Sequence, residues 1–144
     1  MKLFKILPLI MFSLLLWACN PATNEKTAAA EVISEASGVE VYYFHYARRC
    51  ATCNAVEDVT KNTLNEAFTD KVNSGDITFT SVNLDEKDGE TLANKLEVAG
   101  QALVFIVNGQ KTDLTDVGFM YAKSEPEKLK KEILATVNKA FITN

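Results

Sequence analysis

Two cysteines a helical turn apart, in Arg48-Arg49-Cys50-Ala51-Thr52-Cys53, are the residues whose types and spacing promise the most chemistry in this chain. They follow a run of strand-forming residues and open a helical pattern. At the start of a helix both thiols face backbone N–H groups that lack an intrahelical partner, and the positive end of the helix dipole, which favours a thiolate at Cys50. Arg48 and Arg49 add charge of the same sign, either tuning that thiol or steering an anionic substrate toward it. A thiolate attacks disulfides and binds soft ions, so the pair suits redox exchange, with Cys50 attacking and Cys53 resolving, or capture of Cu(I) or trivalent arsenic by Cys50 and Cys53. A closed zinc site needs four ligands, and two thiols with the single histidine, His45, fall short of it. Static cross-linking is the remaining use, and a loop this short makes a weak staple, because the entropic stabilisation of a cross-link grows with loop length.

The elements around the cysteines can be placed from pattern. Val39 to Tyr46 is β-branched and aromatic almost throughout and reads as a strand buried on both faces, with Tyr42, Tyr43, Phe44 and Tyr46 packing the core. From Cys53, the apolar residues Val56, Val59, Leu64, Ala67 and Phe68 recur at helical spacing until Asn73-Ser74-Gly75. Asp76 to Leu84 is a second strand, Asp85 to Gly89 a polar turn, and Thr91 to Val98 a short helix. Leu103 to Val107 is a continuous apolar run, closed by Asn108-Gly109 as a hairpin turn with Gln110 to Val117 as its partner strand. Ser124-Glu125-Pro126-Glu127 has the form of a capping box, and Leu129, Ile133, Val137 and Phe141 line one face of a C-terminal helix. The order is strand, helix, strand, helix, hairpin, helix. Glu31 to Ser37 suits either a short helix or a strand, ended by Gly38.

The first eighteen residues do not belong to that fold. Lys2 and Lys5 make a basic start and Ile6 to Ala18 an apolar stretch of signal-peptide length, too short to cross a bilayer comfortably. Leu16-Trp17-Ala18-Cys19 resembles a bacterial lipobox, with Trp17 where a small residue is usual, which implies cleavage before Cys19 and its acylation. Lipidation of Cys19 also removes the odd thiol that an exported protein with three cysteines would carry into an oxidising compartment. Residues 19–36 then form a flexible tether, with a reach of roughly 20 to 25 Å, and 37–144 a single domain. Losing Lys2 and Lys5 from 15 basic residues, against 19 acidic ones, leaves the remainder at −6, which argues against a nucleic-acid partner. The expected location is the periplasm or the outer face of a bacterial membrane.

This order of elements, with Cys50-Ala51-Thr52-Cys53 at the first strand-to-helix junction, Ser81-Val82-Asn83-Leu84-Asp85 at a strand end and Val107-Asn108-Gly109 at the hairpin, resembles the thioredoxin-like superfamily over about residues 38 to 142. The resemblance implies an α/β fold in which helices flank a central mixed β-sheet. It also implies a redox-active disulfide with no further cofactor, and a membrane electron donor or reductase partner to keep an exported dithiol reduced. More narrowly, Val41-Tyr42-Tyr43-Phe44-His45 running into Arg48-Arg49-Cys50 is similar to small bacterial thioredoxin-like lipoproteins that carry the name of a nitrophenyl compound nitroreductase subunit, for nitroaromatic substrates that include arsenicals.

Two positions depart from the wider family. Gln101, in the loop Val98-Ala99-Gly100-Gln101-Ala102 that the resemblance sets facing the cysteines, takes the place of a cis-proline. A trans bond is expected there, since non-proline cis bonds are rare and unfavourable. Phe44 takes the place of a buried acid that helps move the proton of the second thiol. His45, one residue on, points to the opposite strand face and has the titration range for proton transfer.

Overall fold

The computed structural model describes residues 38–142; the expected signal peptide, the tether, the lipidated Cys19 and the undecided segment Glu31 to Ser37 lie outside the described residues. Val39-Glu40-Val41-Tyr42-Tyr43-Phe44-His45 forms β1 (Val39–His45), as its β-branched and aromatic content requires. Its side chains serve two cores in alternation. Val39, Val41 and Tyr43 point to one face of the sheet and Phe44, with Tyr42 packed beside it, to the other. β1 runs parallel to β2 (Ile77–Asn83) and antiparallel to β3 (Ala102–Val107), and β3 pairs with β4 (Gln110–Asp113), so the sheet has the order β2-β1-β3-β4. A parallel pair needs a crossover, and α1 (Ala51–Ala67) with α2 (Thr69–Ser74) supplies it between β1 and β2. The interior strands β1 and β3 carry the burial: every residue of β3 is buried.

On the Tyr43 face, Leu103 and Phe105 of β3 meet Val56 and Leu64 of α1 and Leu129, Ile133 and Val137 of α5 (Pro126–Asn138). α4 (Thr115–Tyr121) completes this layer. On the Phe44 face, Val82, Ala102, Val104 and Ile106 are covered by α3 (Lys87–Lys95) through Ala93 and Leu92. Asn108 (φ 48°) and Gly109 (φ 76°) both lie in the left-handed region that a tight two-residue hairpin demands.

The pattern reading differs from this fold in five places. The helix after Cys53 breaks at Phe68, whose backbone leaves the helical region (φ −132°) and whose ring lies 6.4 Å from that of Phe141; α2 then starts separately. Gly89 is in the first half of α3, not in a turn: a Cβ there would stand 1.9 Å from the Asn83 carbonyl oxygen, so the helix can lie this close to β2 only with glycine at that point. β4 is half the expected length, because Leu114 turns into the core and Thr115 to Tyr121 form α4 instead. The capping box at Ser124 does not form. The Ser124 hydroxyl donates to the Met120 carbonyl, Glu125 is the N-cap without a side-chain bond, and Pro126 opens the helix, where its missing N–H loses nothing. Tyr46, expected in the core, is 40% exposed because β1 ends one residue before it.

Candidate active site

Cys50 is the N-cap residue of α1, held in extended backbone (φ −89°, ψ 166°), and its Sγ accepts a hydrogen bond from the Cys53 N–H at 3.0 Å. A sulfur in the cap position thus takes the role that a Ser or Asp oxygen usually plays, satisfying one of the free donors of the first turn. The two cysteines are joined as a disulfide with their Cα atoms 5.0 Å apart. They are unequally placed. Cys50 is exposed, whereas Cys53 is 3% exposed and packs beneath the helix start. The first turn carries no acidic residue to oppose an anion at Cys50.

Beneath this turn lies a polar cluster that the motif did not announce. The fully buried Tyr43 donates its hydroxyl to the Cys53 carbonyl at 2.9 Å, tying the cysteine helix to the strand before it. The Arg49 guanidinium lies over the Tyr43 ring, 5.5 Å from its centroid, and is paired with the Glu57 carboxylate. Burial pushes the Tyr43 phenol above its ordinary value, against the opposing pull of Arg49. Burial also pushes the Glu57 carboxyl up, but Arg49, the Ser81 hydroxyl and Lys61 outweigh it and hold the group below the ordinary carboxylate value. The two arginines expected to tune or steer therefore stand apart: Arg48 is exposed, and Arg49 is folded under the helix. Glu57 was absent from the sequence reading, although its position four residues after Cys53, on the same helix face, was a usable signal.

The loops that flank the cysteines are fixed by hydrogen bonds from backbone N–H groups. The Asp85 carboxylate, in the loop after β2, accepts the Ala47 N–H at 2.7 Å, and the Leu84 N–H donates to the His45 carbonyl at 2.7 Å, so the segment leading to Cys50 is tied down at the C-terminal end of the parallel β1–β2 pair. His45 faces away from the buried Phe44, as strand alternation requires; its ring stacks on Tyr43 at 5.9 Å and its Nδ1 donates to the Tyr46 carbonyl at 3.0 Å. The register sets Ala102 opposite Phe44, which carries the preceding residue, Gln101, to the end of β1 where the cysteine loop begins. Gly100 lies close enough to Tyr46 that a Cβ would be 3.9 Å from its hydroxyl. All peptide bonds among the described residues are trans, that before Gln101 included, and the Gln101 Oε1 is buried without a hydrogen-bond partner. Gln101 also lines an open groove of about 640 Å³ with Glu97, Asp113 and Asp116 on its walls. Among the described residues no three His, Cys, Asp or Glu side chains are grouped to hold a metal ion.

No protein-family model and no curated protein sequence matches this chain. Among solved structures, it is similar to thioredoxin O2 from Arabidopsis thaliana in its oxidised state, with a TM-score of 0.52 and 23% identity over 73% of this chain and 83% of that one. Fasciola hepatica thioredoxin aligns with a TM-score of 0.46 and 19% identity, over 70% of this chain and 83% of that one. With a four-stranded mixed sheet, flanking helices and a Cys50–Cys53 disulfide at the first strand-to-helix junction, the chain has a thioredoxin-like fold.

Proposed function

We propose that the protein is a thiol–disulfide oxidoreductase or electron-transfer protein that cycles the Cys50/Cys53 pair. The observation that carries this reading is the asymmetry of the disulfide: Cys50 is exposed and caps a helix, and Cys53 is buried one turn behind it. On reduction, the Cys53 N–H and the helix start stabilise an anion at Cys50. In the reducing direction the Cys50 thiolate attacks a substrate disulfide, forming a Cys50–substrate bond and expelling one substrate thiolate, which takes up a proton. Cys53 then loses its proton and attacks the Cys50 sulfur, so that the Cys50–Cys53 bond forms and the second substrate thiol leaves. Two electrons pass from the pair to the substrate, and a donor must return them before the next cycle.

The wider setting belongs to the same proposal: a lipid anchor at Cys19, a place at the outer face of a bacterial membrane, and a membrane electron donor. The basic start, short apolar core and lipobox-like end of the leader support it. A role beside a reductase for nitroaromatic compounds is supported by the likeness of residues 41–50 to lipoproteins of that name, and by that likeness alone.

Equilibration with glutathione buffers, followed by alkylation and mass analysis of the Cys50/Cys53 peptides, tests the central step. The expected result is reversible interconversion of dithiol and disulfide, with reduction of insulin by the dithiol form. A pair that stays oxidised throughout is a static cross-link. A reduced protein that leaves insulin untouched but retains Cu(I) stoichiometrically after anaerobic purification is a capture module instead.

A further inference from the structure

Arg49 is bonded directly to Cys50, yet its charge is not presented to solvent. Its side chain is 25% exposed and that of its partner Glu57 12% exposed, and the pair sits against the Tyr43 ring whose hydroxyl holds the Cys53 carbonyl. An unpaired guanidinium at this place would favour a thiolate at Cys50. A carboxylate in contact with it weakens that field, because a close ion pair acts at a distance as a dipole and not as a charge. Lys61, 3.8 Å from the other Glu57 oxygen and 50% exposed, adds a second positive charge that favours the ionised carboxyl.

We propose that Glu57 is a positioning residue that sets the redox poise of the Cys50/Cys53 pair, by fixing and neutralising Arg49 beneath the cysteine turn. This inference rests on the oxidoreductase reading. Reduction by glutathione breaks the Cys50–Cys53 bond while two glutathione thiols become one glutathione disulfide. Cys53 takes one of their two protons and, with Cys50 left as the thiolate, the other goes to solvent. Any charge that stabilises the thiolate therefore moves the equilibrium toward the dithiol, and Glu57 opposes that movement.

The test is the equilibrium constant with glutathione for the full chain, read on the Cys50/Cys53 peptides, in wild type, Glu57→Gln, Arg49→Met, the double variant and Glu57→Asp. Glu57→Gln is expected to shift the equilibrium toward the dithiol by about three- to tenfold, the scale of removing one partly screened charge, up to about one pKa unit at the thiol. Arg49→Met is expected to shift it the opposite way, the double variant to lie between the two, and Glu57→Asp, which keeps the charge, to stay near wild type. Mere loosening of the helix start would move both single variants in the same direction, so opposite shifts are the signature of charge. If Glu57→Gln does not fold, the contrast of Arg49→Met with Glu57→Asp carries the same prediction. A wild-type protein that equilibrates normally while Glu57→Gln matches it, or shifts toward the disulfide, overturns the inference and leaves the oxidoreductase reading standing. A wild-type pair that does not equilibrate with glutathione overturns both.

Discussion

The Tyr43 face of the sheet meets α1, α4 and α5, whereas the Phe44 face meets α3 alone, and the two are held by different means. On the first, long apolar side chains interdigitate: Val56 and Leu64 from α1, Leu129, Ile133 and Val137 from α5, and Leu103 and Phe105 from β3. On the second, the nine residues of α3 offer little more than Ala93 and Leu92, and the helix stays close because its backbone approaches that of β2 at Gly89. The cysteine helix belongs to the thicker layer. A site that must keep one sulfur accessible and the other covered, while the bond between them opens and closes, is thereby built on the more heavily packed side of the sheet.

The same one-carbon insertion on each face breaks or sharpens this contrast. Gly89→Ala drives a Cβ to 1.9 Å from the Asn83 carbonyl oxygen and 2.7 Å from its carbon, contacts that only a backbone shift can relieve. It is expected to destabilise by about 3 kcal/mol, the upper part of the overpacking range. Gly118→Ala, in α4, meets only the Val56 and Leu103 side chains at 3.3 to 3.6 Å. The better helix propensity of alanine offsets the crowding there, and stability is expected within about 1 kcal/mol of wild type. Urea unfolding of the two variants measures both. Equal losses would mean that the thin face is not held by backbone approach.

A smaller pair of effects separates the faces by pH. Glu57 is part of the cysteine helix and has its carboxyl below the ordinary 4.5, so its contribution to stability is present above that value and is lost as pH falls through the lower folded value. Tyr42 lies on the α3 face, and burial, helped by the Glu40 carboxylate that accepts its hydroxyl at 2.5 Å, pushes its phenol from 10.0 to about 12. Its contribution is present below pH 10.0 and is lost as pH rises toward about 12. Glu57→Gln should therefore flatten the acid limb of the stability profile and leave the alkaline limb as it was, and Tyr42→Phe should do the reverse. Unfolding midpoints across the pH range check both, and a variant that flattens the other limb would contradict the assignment.

The features that were legible in the sequence are those written in local pattern. β1 showed in its β-branched and aromatic run, the hairpin in Asn108-Gly109, and the Cys50 cap in the spacing of two cysteines after a strand. What escaped was decided between elements. Gly89 reads locally as a turn because glycine is a poor helix former, and only the proximity of Asn83 explains its place inside α3. α4 was hidden because the Asn108-Gly109 turn calls for a partner strand after it and does not say how long that strand runs; Leu114 is claimed by the core and its N–H by the Leu103 carbonyl, which ends the strand at Asp113. The two arginines are equivalent in type and charge, and the helical spacing of Glu57 from Cys53 brings a carboxylate to this face without saying which arginine it takes. The thioredoxin-like resemblance sets Gln101 where the family has a proline, whereas its buried, unpaired Oε1 is beyond any pattern.

The asymmetry of the two cysteines can be tested without knowing the partner. Cys53→Ser and Cys50→Ser variants of the full chain are expressed, and their mixed disulfides are resolved on non-reducing gels, with the linked cysteine identified by peptide mass. The account predicts adducts on Cys50 in the Cys53→Ser protein, because the exposed thiol can attack and the residue that would release the partner is gone. It predicts none on Cys53 in the Cys50→Ser protein, where the remaining thiol is 3% exposed. Adducts on Cys53 in the Cys50→Ser protein, as abundant as those on Cys50 in its counterpart, would contradict it.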